Sequence, residues 1–171
     1  DWRNMIIGNP YTFSIIIDIV DEWNIDKSFN NGLLFIGVNG VLIPDKILNA
    51  TLNVEIPVLI KKLENPVNDM EIFSMEKNKA FICIYKKVFS DSPDETNCGY
   101  DISPWEFLDN DYFIFMVSDE AQVRILSARL EYIIEESCHN LEEIDVIDTY
   151  ISNAELGKAV AQLKEFDKRN R

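Results

Sequence analysis

The sequence predicts a single α+β domain with a mostly antiparallel sheet and two main helices. Two tight-turn signals, Asn39-Gly40 and Ser118-Asp119-Glu120, lie between apolar runs and predict β-hairpins. Two other segments, residues 51–64 and 153–166, repeat their apolar residues at the helical period. A chain of 171 residues, of which 47% are hydrophobic, is long enough to bury its own core.

Three strands are predicted before the first helix. Residues 11–20 are β-branched and aromatic, and their apolar members alternate with polar ones, as in a half-buried strand. Residues 33–38 predict a second strand, and residues 41–43 return antiparallel to it, because Asn39 and Gly40 tolerate the positive φ angles of a type I′ turn. Pro44 ends the returning strand, since proline has no N–H to donate.

The first helix, over residues 51–64, is predicted by one apolar stripe. That stripe consists of Leu52, Ile56, Leu59, Ile60 and Leu63. Pro57 lies within it and predicts either a late start or a kink near the first turn. A further strand is predicted over residues 80–88, and a polar loop follows over residues 90–103.

The remaining elements are a second hairpin, one more strand and the second helix. Strands over residues 111–118 and 121–130 flank the turn, whereas residues 131–140 fit either a strand extension or a short helix. The next strand is expected to contain Ile144, Val146 and Tyr150. Ser152 and Glu155 form a capping-box pattern, which opens the helix over residues 153–166.

Acidic residues dominate the second half of the chain. The protein has 30 Asp and Glu against 16 Lys and Arg, and its formal net charge is −14. Sixteen acids and two basic residues, Arg124 and Arg129, lie between residues 91 and 148, so this acidic window carries a charge equal to that of the whole chain. Such a field repels nucleic acid and anionic membranes and attracts basic partners.

Composition favours a binding protein over an enzyme. His139 is the single histidine, and we expect its neighbour Cys138 to point away from it, because residues adjacent in sequence seldom point at one another. The three cysteines lack metal-ligand spacing and no secretory signal precedes them, which predicts free thiols in the cytoplasm. We expect no cofactor and no metal, no nucleic-acid partner, and no membrane span, since no apolar run approaches about 20 residues.

Two alternatives remain open from the residues alone. One is a hydrolase with a carboxylate-bound divalent cation, for example on Asp91, Asp94 and Glu95, although their spacing lacks the glycine-centred pattern of an EF-hand loop. The other is a general acidic adaptor that binds a different kind of partner.

The N-terminal residues 5–15 (MIIGNPYTFSI) resemble the opening of the bacterial immunity protein 42 family. That opening is a short Met-Ile-hydrophobic-Gly start, then a polar pair, then an aromatic residue that leads a strand. We therefore expect residues 1–4 to be a cloning remnant and residues 5–171 to form one domain. The resemblance carries no catalytic residue. It implies a cytoplasmic antidote, encoded beside a polymorphic or contact-dependent growth-inhibition toxin, that binds the toxin domain and blocks it.

The acidic window is the expected toxin-binding surface, and the expected partner is the basic C-terminal domain of the cognate toxin, for which a nuclease is one candidate. Complementary charge speeds association, and an aromatic anchor supplies affinity, for which Trp105 is a candidate. Phe107, Phe113 and Phe115 are assigned to the core. The candidate binding residues are Asp91, Asp94, Glu95, Asp101, Trp105, Glu106, Asp109, Glu135, Glu136, Glu142 and Glu143.

Overall fold

Two antiparallel sheets carry the fold, which the computed structural model describes for residues 3–26, 28–92 and 94–170. The strands of the first sheet are β1 (Asn4–Gly8), β2 (Phe13–Ile19), β3 (Asn31–Val38), β4 (Val41–Ile43) and β5 (Ala50–Thr51). They lie in the order β1-β2-β3-β4, and β5 pairs with the start of β3. Asn39 and Gly40 have φ angles of 49° and 78°, as the predicted β3–β4 turn requires.

The second sheet lies in the order β10-β7-β6. Its strands are β6 (Tyr112–Ser118), β7 (Gln122–Arg129) and β10 (Ile147–Ser152), and a small hairpin of β8 (Tyr132–Ile133) and β9 (Cys138–His139) lies between β7 and β10 in sequence. Irregular chain covers the outer edge of β6. The Ile102 amide donates to the Ile114 carbonyl at 3.0 Å, and the Ser118 amide donates to the Val67 carbonyl at 2.9 Å.

In the described residues, three α-helices of twelve residues or more accompany three short ones and a 3-10 helix at Asp21–Trp23. The α-helices are α1 (Leu52–Glu64), α2 (Met70–Ser74), α3 (Lys77–Val88), α4 (Glu95–Cys98), α5 (Trp105–Leu108) and α6 (Asn153–Arg169). The predicted capping box of α6 is confirmed: the Glu155 amide donates to the Ser152 hydroxyl, and the Ser152 amide donates to the Glu155 carboxylate. Pro57 lies inside α1, which begins at Leu52 without the late start that we considered.

The second sheet separates two hydrophobic clusters. Ile114 and Met116 of β6 join a large core with the first sheet, α1 and α6. The alternate β6 residues Phe113, Phe115 and Val117 face the other way, into a smaller cluster with α3. Because both faces of this sheet are covered, all seven residues of β6 are buried.

The α+β class and both long hairpins are confirmed. The strand predicted over residues 80–88 is wrong, since this segment is the helix α3, and the protein therefore has three main helices instead of two. Residues 131–140 form the β8–β9 hairpin, and the last strand begins at Ile147, after Ile144 and Val146. Asn4 pairs with Asp18 and the Arg3 carbonyl accepts from the Ile19 amide, so residues 3 and 4 take part in the fold.

Candidate functional site

The acids of the acidic window do not form one surface. Asp119 and Glu120 lie in the turn that follows β6, whereas Asp109 and Asp111 come just before that strand. A strand of seven residues is about 20 Å long, so these two groups lie at opposite ends of the second sheet. The acids therefore form separate groups about 20 Å apart, and not one continuous patch.

The charge of Asp148 is neutralised by an internal ion pair with Arg124. Its carboxylate accepts two hydrogen bonds from the Arg124 guanidinium, at 2.8 and 2.9 Å, and Arg124 is only 3% exposed. The same guanidinium donates to the carbonyls of Phe73 and Met75, at 3.0 and 2.6 Å. Arg124 and Asp148 therefore attach the α2–α3 segment to the sheet and contribute little to an external field.

Asp101 is buried, which corrects the prediction that it lies at the binding surface. It is 8% exposed, and its carboxylate accepts a hydrogen bond from the Ser103 amide at 2.9 Å. Burial raises the pKa of this carboxyl group. Its backbone bridges to Phe115 of β6, so the residue belongs to the chain that covers the sheet edge.

Trp105 is exposed, as a contact residue must be. It is the first residue of α5, and 62% of its surface is accessible. Phe107, two residues later in the same helix, is 1% exposed and packs in the core, as predicted. Two acidic residues follow Trp105 closely in the sequence, Glu106 and Asp109, and Asp109 is exposed.

The backbone that carries Trp105 is tied down by buried polar groups. The Trp105 amide donates to the Glu55 carboxylate of α1 at 3.2 Å, and Glu55 is only 5% exposed. Ser103, two residues before Trp105, is held in a similar way. Its carbonyl accepts a hydrogen bond from the Lys62 ammonium at 3.1 Å, and its hydroxyl is hydrogen-bonded to both the amide and the carbonyl of Ile114. A rigid backbone lowers the entropy cost of using Trp105 in a contact.

Glu55 is a buried acid with a perturbed pKa. Burial raises the pKa of its carboxyl group, and the nearby charge of Glu106 acts in the same direction, while the hydrogen bond from the Trp105 amide opposes it. The position lies on the buried stripe of α1, three residues after Leu52 and four before Leu59. That spacing is the signal in the sequence that marks Glu55 as a buried acid.

The β8–β9 segment, residues 131–140, carries acids at an exposed turn and is called the acidic hairpin below. Glu135 and Glu136 are exposed there, and Ile134 beside them is 78% exposed. The acidic hairpin thus offers an apolar side chain between carboxylates. Glu142 and Glu143, which follow it, are also exposed.

His139 attaches the acidic hairpin to the body of the protein. Its Nδ1 lies 2.7 Å from the Tyr85 hydroxyl of α3, and its Nε2 lies 2.9 Å from the Asp111 carboxylate. Its ring also makes edge-to-face contacts with Phe113 and Tyr132, with centroids 5.0 and 5.1 Å away. Since Asp111 follows α5 by three residues, this link brings the acidic hairpin to the same end of the sheet as α5.

The loop between α3 and α4 runs from one end of the second sheet toward the other. Asp91 lies near the end that carries the acidic hairpin, because it follows Phe89 by two residues and the Phe89 ring packs on Phe113 with centroids 5.5 Å apart. Asp94 caps α4 by accepting from the Thr96 amide, and Glu95 is the first residue of that helix. Gly99, which ends α4, lies against Val67 at the far end of β6, so Asp94 and Glu95 lie away from the acidic hairpin.

The candidate catalytic groups are engaged in other contacts. Both ring nitrogens of His139 have the partners named above, and the Cys138 sulfur lies 3.6 Å from a Glu136 carboxylate oxygen. Among the residues that the structure describes, no three His, Cys, Asp or Glu side chains are grouped so that they could hold a metal ion. Within the same residues, no helix combines the length and apolar character needed to cross a membrane.

Comparison with known proteins shows the family and the fold. Residues 5–166 match the sequence model of immunity protein 42. The chain belongs to the immunity protein 42 family. The fold of this family member is similar to the crystal structure of CdiI from Burkholderia dolosa AUO158, with a TM-score of 0.72 and 24% sequence identity over 94% of this chain and 99% of that chain. No curated protein matches the sequence significantly.

For an immunity protein, the important contribution of the structure is the grouping of residues. At one end of the second sheet it places Trp105, Glu106 and Asp109 on the side of the large core and the acidic hairpin on the side of α3, and we call these residues together the Trp105 surface. Neither Glu55 nor the attachment through Tyr85 and Asp111 was recognised from the sequence, because each depends on contacts between distant segments.

Proposed function

We propose that this immunity protein neutralises its toxin by binding a basic toxin domain on the Trp105 surface, as an inhibitor that catalyses no reaction. The observation that carries the proposal is the 62% exposure of Trp105 on a backbone held by buried Glu55. Tight interfaces concentrate their binding energy in a few aromatic or arginine anchors, and preorganised anchors cost less entropy to bury. The fold that this chain shares with CdiI supports the same role.

The acids around Trp105 would guide the partner. Those of the Trp105 surface and its border are Asp91, Glu106, Asp109, Glu135, Glu136, Glu142 and Glu143. Complementary charge raises association rates above the range of about 10⁵–10⁶ M⁻¹s⁻¹ that neutral partners show, and fast binding suits an antidote. Asp94 and Glu95, at α4, would contribute only to the wider field. We propose that this binding takes place in the cytoplasm.

The test uses the toxin domain that we expect the gene immediately upstream to encode, co-expressed and purified with the immunity protein. An inhibitor that acts by occupancy should abolish toxin activity at a ratio of one to one. An antidote that acts catalytically would instead inactivate the toxin at ratios far below one. Failure of the two proteins to co-purify, together with unprotected cells, would refute the proposed function.

The charged part of the surface is tested by stopped-flow association. The double variant Glu106→Lys and Asp109→Lys should slow association at least tenfold at low salt, and the effect should shrink at 0.15 M salt, where the Debye length is about 8 Å. The matched control, Glu22→Lys and Glu71→Lys, makes the same change in net charge at exposed acids outside the Trp105 surface. Equal slowing in both double variants would assign the effect to overall charge and remove the surface from the proposal.

A further inference from the structure

An open groove lies at the other end of the second sheet, beside the β6–β7 turn. Its volume is about 780 Å³. Its floor is apolar and comes from two helices, with Leu63 of α1 and Leu156 and Val160 of α6. Grooves of this kind between helices receive amphipathic helices in many recognition complexes.

Gly157 lines this groove from inside α6 and has no structural explanation within the chain. Apart from its chain neighbours and the backbone of α6 itself, no described atom lies within 4 Å of where a Gly157 side chain would begin, and its φ angle is not positive. Glycine is among the least favourable residues in the interior of a helix, so this position lowers helix stability without a turn or a close contact to require it. Ala161, one turn later, also lines the groove. Together the two small residues let a second backbone approach α6 closely.

The rim of the groove is acidic. Asp119 and Glu120 come from the β6–β7 turn, and Glu64 comes from the end of α1. Lys164 is the basic residue of the described lining, and it forms an ion pair with Glu64. One Asp119 oxygen accepts hydrogen bonds from the Ala121 and Gln122 amides of the turn itself. The described lining nevertheless carries three carboxylates against one ammonium group, which favours a basic occupant.

The groove is close enough to the Trp105 surface for one partner to reach both. Glu55, which holds the Trp105 backbone, and Leu63, on the groove floor, are eight residues apart in α1, or about 12 Å along the helix axis. A standard protein interface covers about 800 Å² on each partner, which spans a greater distance. A second copy of this chain is a poorer candidate, because it would bring another formal charge of −14.

We propose that this groove receives a basic amphipathic helix of the toxin domain, packed against Gly157 and Ala161. This inference rests on the proposed function and adds a second contact on the same partner. The small residues allow the close approach, the apolar floor covers the apolar side of the incoming helix, and Asp119 and Glu120 pair with its lysine or arginine side chains.

The decisive variant is Gly157→Leu, because its effects on stability and on binding should have opposite signs. Leucine is a good helix former and the groove has room for it, so the Tm of the free protein should rise by about 2–4 °C. The same side chain would occupy the space of the incoming helix and should raise the Kd for the upstream toxin domain at least tenfold. Gln162→Leu is the control: it places a leucine on the side of α6 that lines a different pocket, away from Gly157 and Ala161, and should leave the Kd unchanged.

The experiment is isothermal titration calorimetry with the wild type and both variants, preceded by a thermal melt of each. A wild-type level of binding by Gly157→Leu would overturn the inference and leave the proposed function intact. Absence of binding by the wild type would count against the proposed function itself. Light scattering of the free protein completes the test: a dimer that Gly157→Leu converts to a monomer would show that a second copy fills the groove and would also overturn the inference.

Discussion

Trp105 and Phe107 offer a paired test of the Trp105 surface, since both are aromatic residues of the short helix α5. Trp105 is 62% exposed and Phe107 is 1% exposed. Truncation to alanine should therefore affect different properties at the two positions. Trp105→Ala should mainly weaken toxin binding, and Phe107→Ala should mainly destabilise the fold.

The magnitudes follow from the buried areas. Full burial of a tryptophan covers up to about 250 Å², so the buried third of Trp105 contributes at most about 2 kcal/mol to folding at about 25 cal/mol per Å². In a protein of this length, that loss lowers the Tm by roughly 4–8 °C at most. Phe107→Ala leaves a cavity in the core and should cost about 3–5 kcal/mol, which is a clearly larger fall in Tm.

The loss of binding free energy in Trp105→Ala follows from the exposed area of the residue. The exposed part of the residue is about 150 Å², and its complete burial by a partner would contribute about 4 kcal/mol before the costs of association. A net loss of about 2–3 kcal/mol for Trp105→Ala corresponds to a Kd raised roughly 30- to 150-fold, mostly through faster dissociation. Surface plasmon resonance with the upstream toxin domain measures both rates. An unchanged dissociation rate for Trp105→Ala would refute the assignment of Trp105 as the anchor.

Three further predictions concern stability, measured by urea unfolding. Ser152→Ala removes one half of the capping box and should lower the free energy of unfolding by about 1 kcal/mol, and a loss below 0.3 kcal/mol, on the order of the assay error, would contradict the role of the cap. Arg124→Met should cost about 3–5 kcal/mol, because it leaves Asp148 and two backbone carbonyls without their partner, and a smaller loss in Asp148→Asn would fit the partial exposure of that carboxylate. Burial raises the pKa of Glu55 above its ordinary value of 4.5, so the folded state binds this proton more tightly and stability falls as the pH rises from about 4.5 through the raised pKa. Glu55→Gln should remove that fall, so the variant should gain stability relative to the wild type between acid and neutral pH, and parallel pH profiles would contradict this reasoning.

The features that could be predicted from the sequence are those that depend on local chemistry. Asn39 and Gly40 adopt the positive φ angles of the hairpin turn because of their own conformational freedom. Ser152 and Glu155 satisfy each other's amide donors within one helical turn. Neither feature needs any information about the rest of the fold.

The error over residues 80–88 has a physical cause. The segment is rich in β-branched and aromatic residues, which favour strands when no other information is considered. Its buried residues, Ala80, Phe81 and Ile84, instead follow the helical spacing, and the Glu76 carboxylate caps the helix by accepting from the amides of Asn78 and Lys79. Packing against the second sheet decided between the two periods, and that contact is not local.

The binding role of the candidate residues stays a prediction. Trp105, Glu135 and Glu136 are exposed, whereas Asp101 is not. The burial of Asp101 could not be foreseen, because it results from the pairing of a polar segment with β6, and such segments usually lie in solvent. The division of the acidic window between two ends also depends on the strand that separates them.

The attachment of the acidic hairpin through one imidazole gives the protein a built-in spectroscopic reporter. The chain has a single histidine, so its two ring carbon–hydrogen signals in a nuclear magnetic resonance spectrum need no assignment. These protons lie beside Tyr85, Asp111 and the rings of Phe113 and Tyr132, whose ring currents make the chemical shift sensitive to small displacements. Titration with an unlabelled ligand would therefore reveal from one pair of peaks whether this part of the molecule moves when it is touched.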